Sequence, residues 1–195
     1  MSATLPDPIA DDDVLAPLVE RHGRLSLEPA EDPFRRLVTS IVNQQLSTAS
    51  AAAIRGRLFD RFEISPAALA EADPSELAGV GLSARKAEYV RNIAEAFRGG
   101  LDPGSLGEMS DEEVVERLTA IRGVGIWTAK IFLMFGLGRP DVFPVEDLGI
   151  RKGMQELFGE LSRAEMMERA ERWRPHRSLA ALYVWRAKRE AGGAQ

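Results

Sequence analysis

The sequence predicts an all-α protein, and three observations carry that prediction. Apolar residues recur three and four positions apart in one segment after another, the spacing of a helix face packed on a core. Serine stands where helices would begin and glycine where they would end. No stretch shows a sustained alternation of apolar and polar residues, the mark of a half-buried strand.

The elements follow in chain order. From Asp32 to Gln45, the residues Phe34, Leu37, Val38, Ile41 and Val42 form one buried stripe. Thr48 to Phe62 continues with Ala51, Ile54, Leu58 and Phe62. Ser83 caps a third helix with Ala87, Val90, Ala94 and Phe97 on its inner face, closed by Gly99-Gly100. Ser110 caps a fourth, with Glu113 three residues on completing a capping box and Val114, Val115, Leu118 and Ile121 as its apolar face. Ile126 to Leu137 is apolar on nearly every side and reads as the helix at the centre of the fold. Ser178 to Lys188 closes the chain and carries Tyr183 and Trp185. Loops are expected near Pro29, Pro66, Pro74, Pro103 and Pro140, and short extended pieces at residues 25–27 and 141–143. The count expected is nine or ten helices.

Composition narrows the function. The chain has 195 residues, 45% hydrophobic, enough for a packed core. It has no cysteine, which excludes disulfides, thiolate zinc sites, Cys-ligated iron–sulfur clusters and cysteine nucleophiles. No apolar run approaches the roughly 20 residues of a membrane helix, and residues 1–13 lack the pattern of a signal peptide. A cytoplasmic protein is expected, nucleoid-associated if bacterial.

Net charge is −5. Residues 1–33 hold eight acids and two bases, so the remainder is close to neutral. Basic residues cluster at Arg85/Lys86, at Arg151/Lys152 and at Arg172, Arg174 and Arg177, which allows a local basic face.

The most informative stretch runs from Leu118 to Lys130, LTAIRGVGIWTAK. A helix ends near Ile121, Gly123-Val124-Gly125 makes a tight turn, and a second helix starts at once. The two glycines permit positive φ and close backbone approach. The amides of Gly123, Gly125 and Thr128 would then point outward from a helix N-terminus. Such a site holds a phosphate by N–H groups and the helix dipole, with no net positive charge required.

This stretch resembles the helix-hairpin-helix of the HhH-GPD superfamily of DNA glycosylases, and other segments resemble the AlkA-type 3-methyladenine branch. Val145-Glu-Asp-Leu-Gly-Ile-Arg151 is similar to the family's catalytic loop, with Asp147 as the carboxylate. Ile41-Val-Asn-Gln-Gln-Leu-Ser47 looks like the loop that probes the base stack. Gly81 to Tyr89 and Arg172 to Ser178 match further segments. The resemblance covers about residues 32–190. It implies a two-lobed helical fold with a central cleft. Residues 1–31 would be an acidic segment of the flanking lobe, about 36–110 the central helical lobe, and about 111–195 the hairpin, catalytic loop and closing helices. Arg122 departs from the proline often found before the first glycine of the hairpin.

The implied activity is monofunctional excision of alkylated purines, 3-methyladenine-like bases above all, from double-stranded DNA by a monomer. Cleaving an N-glycosidic bond develops positive charge on the sugar, which a carboxylate stabilises. Asp147 takes that role, with Glu146 as the fallback; read alone, Asp147 is also a helix N-cap. Trp127 occupies the position where glycosylases with lyase activity carry a Schiff-base lysine, so hydrolysis without strand cleavage is expected. Trp127 and Trp185 align with pocket tryptophans whose faces attract a cationic base. Trp173 reads as structural, and His22 and His176 as surface or structural.

Flipping the base requires a wedge. Gln45 or Leu46 fills that role, beside Gln44, with Gly123, Gly125 and Thr128 on the phosphate. The resemblance also implies a sodium or potassium ion on the carbonyls of Thr119, Ile121 and Val124, and no other cofactor. The alternatives are a glycosylase for hypoxanthine, uracil or an oxidised purine, and a non-catalytic hairpin module that only binds DNA.

Overall fold

A computed structural model describes residues 7–193. Residues 1–6, which begin the acidic N-terminal segment, lie outside them, as do 194–195. Among the described residues the chain forms twelve α-helices, one 3-10 turn and no strand. None of these helices is long and apolar enough to cross a membrane. The chain divides into two compact units, residues 29–137 and residues 1–28 with 138–195. The hairpin thus belongs with residues 29–110 and not, as the sequence division had it, with the closing helices.

The chain opens with α1 (Ala16–His22) and then enters the continuous unit. There α2 (Pro33–Asn43) and α3 (Thr48–Arg61) are capped by Asp32 and Ser47. Three short helices follow the same rule: α4 (Pro66–Glu71), α5 (Pro74–Gly79) and α7 (Pro103–Glu108) each begin with proline behind a capping Ser65, Asp73 or Asp102. The loops expected at Pro66, Pro74 and Pro103 are therefore helix starts. Proline at the first helical position has its φ preset and gives up only an N–H that would be unpaired anyway.

Between and after them run α6 (Ala84–Arg98), α8 (Asp111–Thr119) and α9 (Ile126–Phe135). The capping box of Ser110 and Glu113 forms as expected. Helix α2 packs on α6 and α9, and α9 on α8. Every residue of the predicted α2 stripe is buried, and Phe34 meets Phe97 of α6 at 5.1 Å between ring centres.

The second unit joins α1 to α10 (Leu148–Phe158), α11 (Arg163–Ala170), the 3-10 turn Glu171–Trp173 and α12 (Arg177–Gly193). Helix α10 lies so close on α12 that a Cβ on Gly153 would stand 2.3 Å from the Val184 carbonyl oxygen. Trp173 is fully buried against Phe143 and Phe158. Its indole N–H donates to Asp12 at 3.0 Å. The other Asp12 oxygen accepts from the amides of Val14 and Leu15, so this acid is a structural anchor.

The two extended pieces expected at 25–27 and 141–143 are not strands. Side chains take their backbone bonds: Leu25 N–H donates to the Tyr183 hydroxyl, and Val142 N–H to Ser178 Oγ. The basic face is also reduced, because each cluster turns a member inward. Lys86 caps carbonyls of α2, Arg151 binds the Glu146 carbonyl, and Arg177 pairs with Asp141 and Glu171.

Candidate active site and phosphate hairpin

The hairpin joins α8 to α9. Ile121 N–H donates to Leu118 and Val124 N–H to Ile121, which closes the turn. The two glycines do different work. Gly123 has φ +105°, and a Cβ there would fall 2.2 Å from the Tyr89 ring, so both conformation and space demand glycine. Gly125 has an ordinary φ of −95° with nothing within 4 Å of a Cβ position. The positive φ that both glycines permit is adopted only by the first.

Gly125 is the N-cap of α9, and no side chain caps that helix. The ladder starts with Ala129 N–H on the Gly125 carbonyl. First-turn amides have no acceptor within their own helix, and the dipole adds partial positive charge there. A helix start of this kind can receive an anion without a basic side chain. Arg122, in place of the familiar proline, pairs with Glu88, and its carbonyl accepts from Asn92 Nδ2 at 3.1 Å.

The α2–α3 loop is tied to this hairpin. Gln44 Nε2 donates to Thr128 Oγ1 at 3.0 Å and to the Gly123 carbonyl at 3.4 Å. Lys86 Nζ donates to the carbonyls of Val42 and Gln44 at 2.8 and 2.6 Å. Burial pulls the Lys86 ammonium below its ordinary pKa. Between these anchored groups the tip stands out. Gln45 has φ +55°, and among the described residues no other non-glycine has a positive φ. Gln45 and Leu46 are both exposed. Gln44 and the Thr128 side chain therefore position the loop, whereas Gln45 and Leu46 face outward. Trp127, half-buried, lies on α9 in this same unit.

The carboxylate is built in the other unit. Val145 N–H donates to Phe143 and Asp147 N–H to Pro144, a turn that sets Asp147 as the N-cap of α10. Asp147 Oδ1 accepts from Ile150 N–H at 2.9 Å and from Trp185 Nε1 at 2.8 Å. Arg151 Nη1 holds the Glu146 carbonyl at 2.6 Å, fixing the segment from below. Asp147 and Trp185 are both partly exposed, and Leu148 beside them is 58% exposed.

The structure thus joins two sets of the predicted residues: Asp147 with Trp185, and Gly123, Thr128 and Gln44 with one another. Sequence reasoning missed Tyr89, Lys86, Gly149 and Gly153. Lys86 was visible only as charge and Tyr89 only within a matching segment; Gly149 and Gly153 left the signal of glycines four apart on a helix, neighbours on one face.

Residues 38–176 match the HhH-GPD superfamily of base excision DNA repair proteins, a span that holds the hairpin and Asp147 but not Trp185. A Bacillus subtilis relative is 32% identical over 89% of this chain, which covers 65% of that protein's length. DNA-3-methyladenine glycosylase 1 of Schizosaccharomyces pombe is 33% identical over 83% of this chain and 75% of its own length. The solved structure of the S. pombe 3-methyladenine DNA glycosylase in complex with abasic DNA superposes with a TM-score of 0.82 at 30% identity, covering 91% of this chain and 93% of that one. The chain belongs to the HhH-GPD superfamily of base excision DNA repair proteins.

Proposed function

We propose that this chain is a monofunctional DNA glycosylase that flips an alkylated purine of the 3-methyladenine kind out of double-stranded DNA and hydrolyses its N-glycosidic bond. The observation that carries the reading is the Asp147 carboxylate, partly exposed and held by Ile150 N–H and the Trp185 indole at the head of α10. The names of the S. pombe relative and of the superposed structure support the alkylpurine substrate.

In this reading the amides at the start of α9 hold a backbone phosphate and fix the strand. Gln45 or Leu46 enters the base stack as the nucleotide leaves it. The tryptophan faces of Trp127 and Trp185 attract the positively charged ring of an N-alkylated purine, worth about 0.5–2 kcal/mol each. That base is already a good leaving group, so no general acid is required. As the bond breaks, positive charge grows on the deoxyribose, and Asp147 stabilises it and orients the attacking water. Trp127 supplies no amine for a Schiff base, which leaves hydrolysis as the outcome.

A sodium or potassium ion on the carbonyls of Thr119, Ile121 and Val124 would support the hairpin from beneath. The Ile121 oxygen lies in the turn with one bond from Val124, and a carbonyl has a second lone pair.

The test is a panel of duplexes, each with one lesion, incubated with the protein and then split into halves with and without alkali. Strand breaks in the alkylpurine duplex only after alkali are the expected result. Breaks without alkali would overturn the monofunctional assignment, breaks confined to another lesion would overturn the substrate, and no breaks on any duplex would overturn catalysis.

A further inference from the structure

We propose that Trp185 is a positioning residue for Asp147, its indole N–H fixing the carboxylate. The proposal rests on the reading of Asp147 as the catalytic carboxylate. Three observations lead to it.

First, Asp147 Oδ1 receives two donors that originate in different helices, the Ile150 amide of α10 at 2.9 Å and the Trp185 indole of α12 at 2.8 Å. A cap bond alone leaves the carboxyl group able to pivot about that contact. A second donor on the same oxygen, arriving from another element, removes that freedom.

Second, the bond has a built clearance. A Cβ on Gly149 would stand 2.9 Å from Asp147 Oδ1, 3.0 Å from Trp185 Cδ1 and 3.1 Å from Trp185 Nε1. No side chain fits beside the pair, so glycine at 149 is needed for the bond itself. Gly149 is not in a left-handed conformation, and backbone strain does not explain it.

Third, Gly153 one turn on lets α12 descend onto α10, with the Val184 carbonyl where a Cβ would be. Val184 immediately precedes Trp185, so this close crossing sets the height of the indole. A tryptophan required only for stacking needs neither glycine. The pattern Asp147-x-Gly149-x3-Gly153 is the local half of the device, and Trp185 is the distant half.

The experiment uses the full chain and duplex DNA carrying N-alkylated purines, under single turnover with enzyme in excess. Trp185→Phe keeps an aromatic face and removes the donor. The expected result is a fall in the excision rate of about tenfold or more, the loss of a bond to a charged group, with the Kd for the duplex within about twofold. A stacking role alone predicts the reverse, weaker binding at an unchanged saturating rate.

Gly149→Ala is the second variant. It keeps both side chains and drives a methyl group between them, and it is expected to reproduce the rate loss. Thermal melts of both variants check the fold. The readout independent of activity is the Trp185 indole proton in 15N-labelled protein, identified by its disappearance in Trp185→Phe. It is expected to move upfield in Asp147→Ala, where its acceptor is gone.

Wild-type rates in both variants, or an indole proton indifferent to Asp147→Ala, would overturn the proposal. Full turnover by Asp147→Asn would sink the catalytic reading and this proposal with it. An inactive Asp147→Asn beside a fully active Trp185→Phe would overturn the proposal alone.

Discussion

Two helices in this chain begin in opposite ways. Helix α10 begins with Asp147, whose side chain accepts its first-turn amide at 2.9 Å. Helix α9 begins with Gly125, which has no side chain to offer, and no other side chain caps it. The backbone physics is the same at both, first-turn N–H groups with no acceptor inside their own helix and a dipole with its positive end outward. Closing the end from within yields a fixed carboxylate. Without a side-chain cap, the start of α9 is the seat proposed above for a backbone phosphate. A single residue at each N-cap decides which of the two the helix becomes.

That contrast can be broken from either side. The largest effect is expected at Asp147. Asparagine still caps, so Asp147→Asn should lower excision on the order of 10³-fold or more while leaving stability nearly unchanged. Asp147→Ala should lose the same activity and about 1 kcal/mol of stability as well. Excision assays and urea melts on the two variants separate the cap from the chemistry.

Gly123→Ala comes next. The residue would need φ +105° with its Cβ inside the Tyr89 ring, which should cost about 2 kcal/mol or more and disorder the hairpin. Thermal unfolding and duplex binding should fall together.

Gly125→Asp sharpens the comparison by making α9 resemble α10. The backbone there is extended and the Cβ position is open. Stability should rise by a few tenths of a kcal/mol, while DNA affinity drops about tenfold as a carboxylate occupies the phosphate seat. A variant that is more stable and binds equally well would show that the open end of α9 holds no phosphate.

The smallest effect concerns Lys86. Burial lowers its folded-state pKa from the ordinary 10.5. The unfolded chain therefore keeps the proton to higher pH than the folded one. Stability gained from this group rises as pH climbs from the lowered value to 10.5, and is absent below that window. Replacing Lys86 with Gln should flatten that alkaline rise in a urea-melt series.

The legibility of the chain follows the range of the interactions. Helices with a strong stripe and a local cap were readable: the α2 stripe, the Ser83 cap and the Ser110–Glu113 box all formed. The hairpin was readable because its signal fits in a few consecutive residues, although not the division of labour between its glycines. That depends on Tyr89, 34 positions away in sequence and silent there.

The short helices at Pro66, Pro74 and Pro103 were hidden because six residues are too few for a periodic pattern. The extended pieces failed because Tyr183 and Ser178, more than 30 positions on, supply what a neighbouring strand would have. The basic clusters were visible as charge, but nothing local told that Lys86, Arg151 and Arg177 spend their donors on the protein's own oxygens. In the candidate site, the place of Asp147 at the head of α10 was legible from its loop, whereas its bond to Trp185 depends on how tightly two distant helices cross.

The bond from Trp173 to Asp12 has a bearing on how the molecule is made. One compact unit is a continuous run, residues 29–137, complete as soon as its last helix leaves the ribosome. The other is split, with Asp12 and Leu25 synthesised before residues 29–137 and their partners Trp173 and Tyr183 after them. Asp12 waits for an indole 161 positions later, and Tyr183 must emerge before Leu25 finds its acceptor. Contacts of such long range close late, since the intervening chain must first be brought together. The segment that holds Asp12 and Leu25 therefore waits through the synthesis of the other unit, and the helices made after residue 137 complete it.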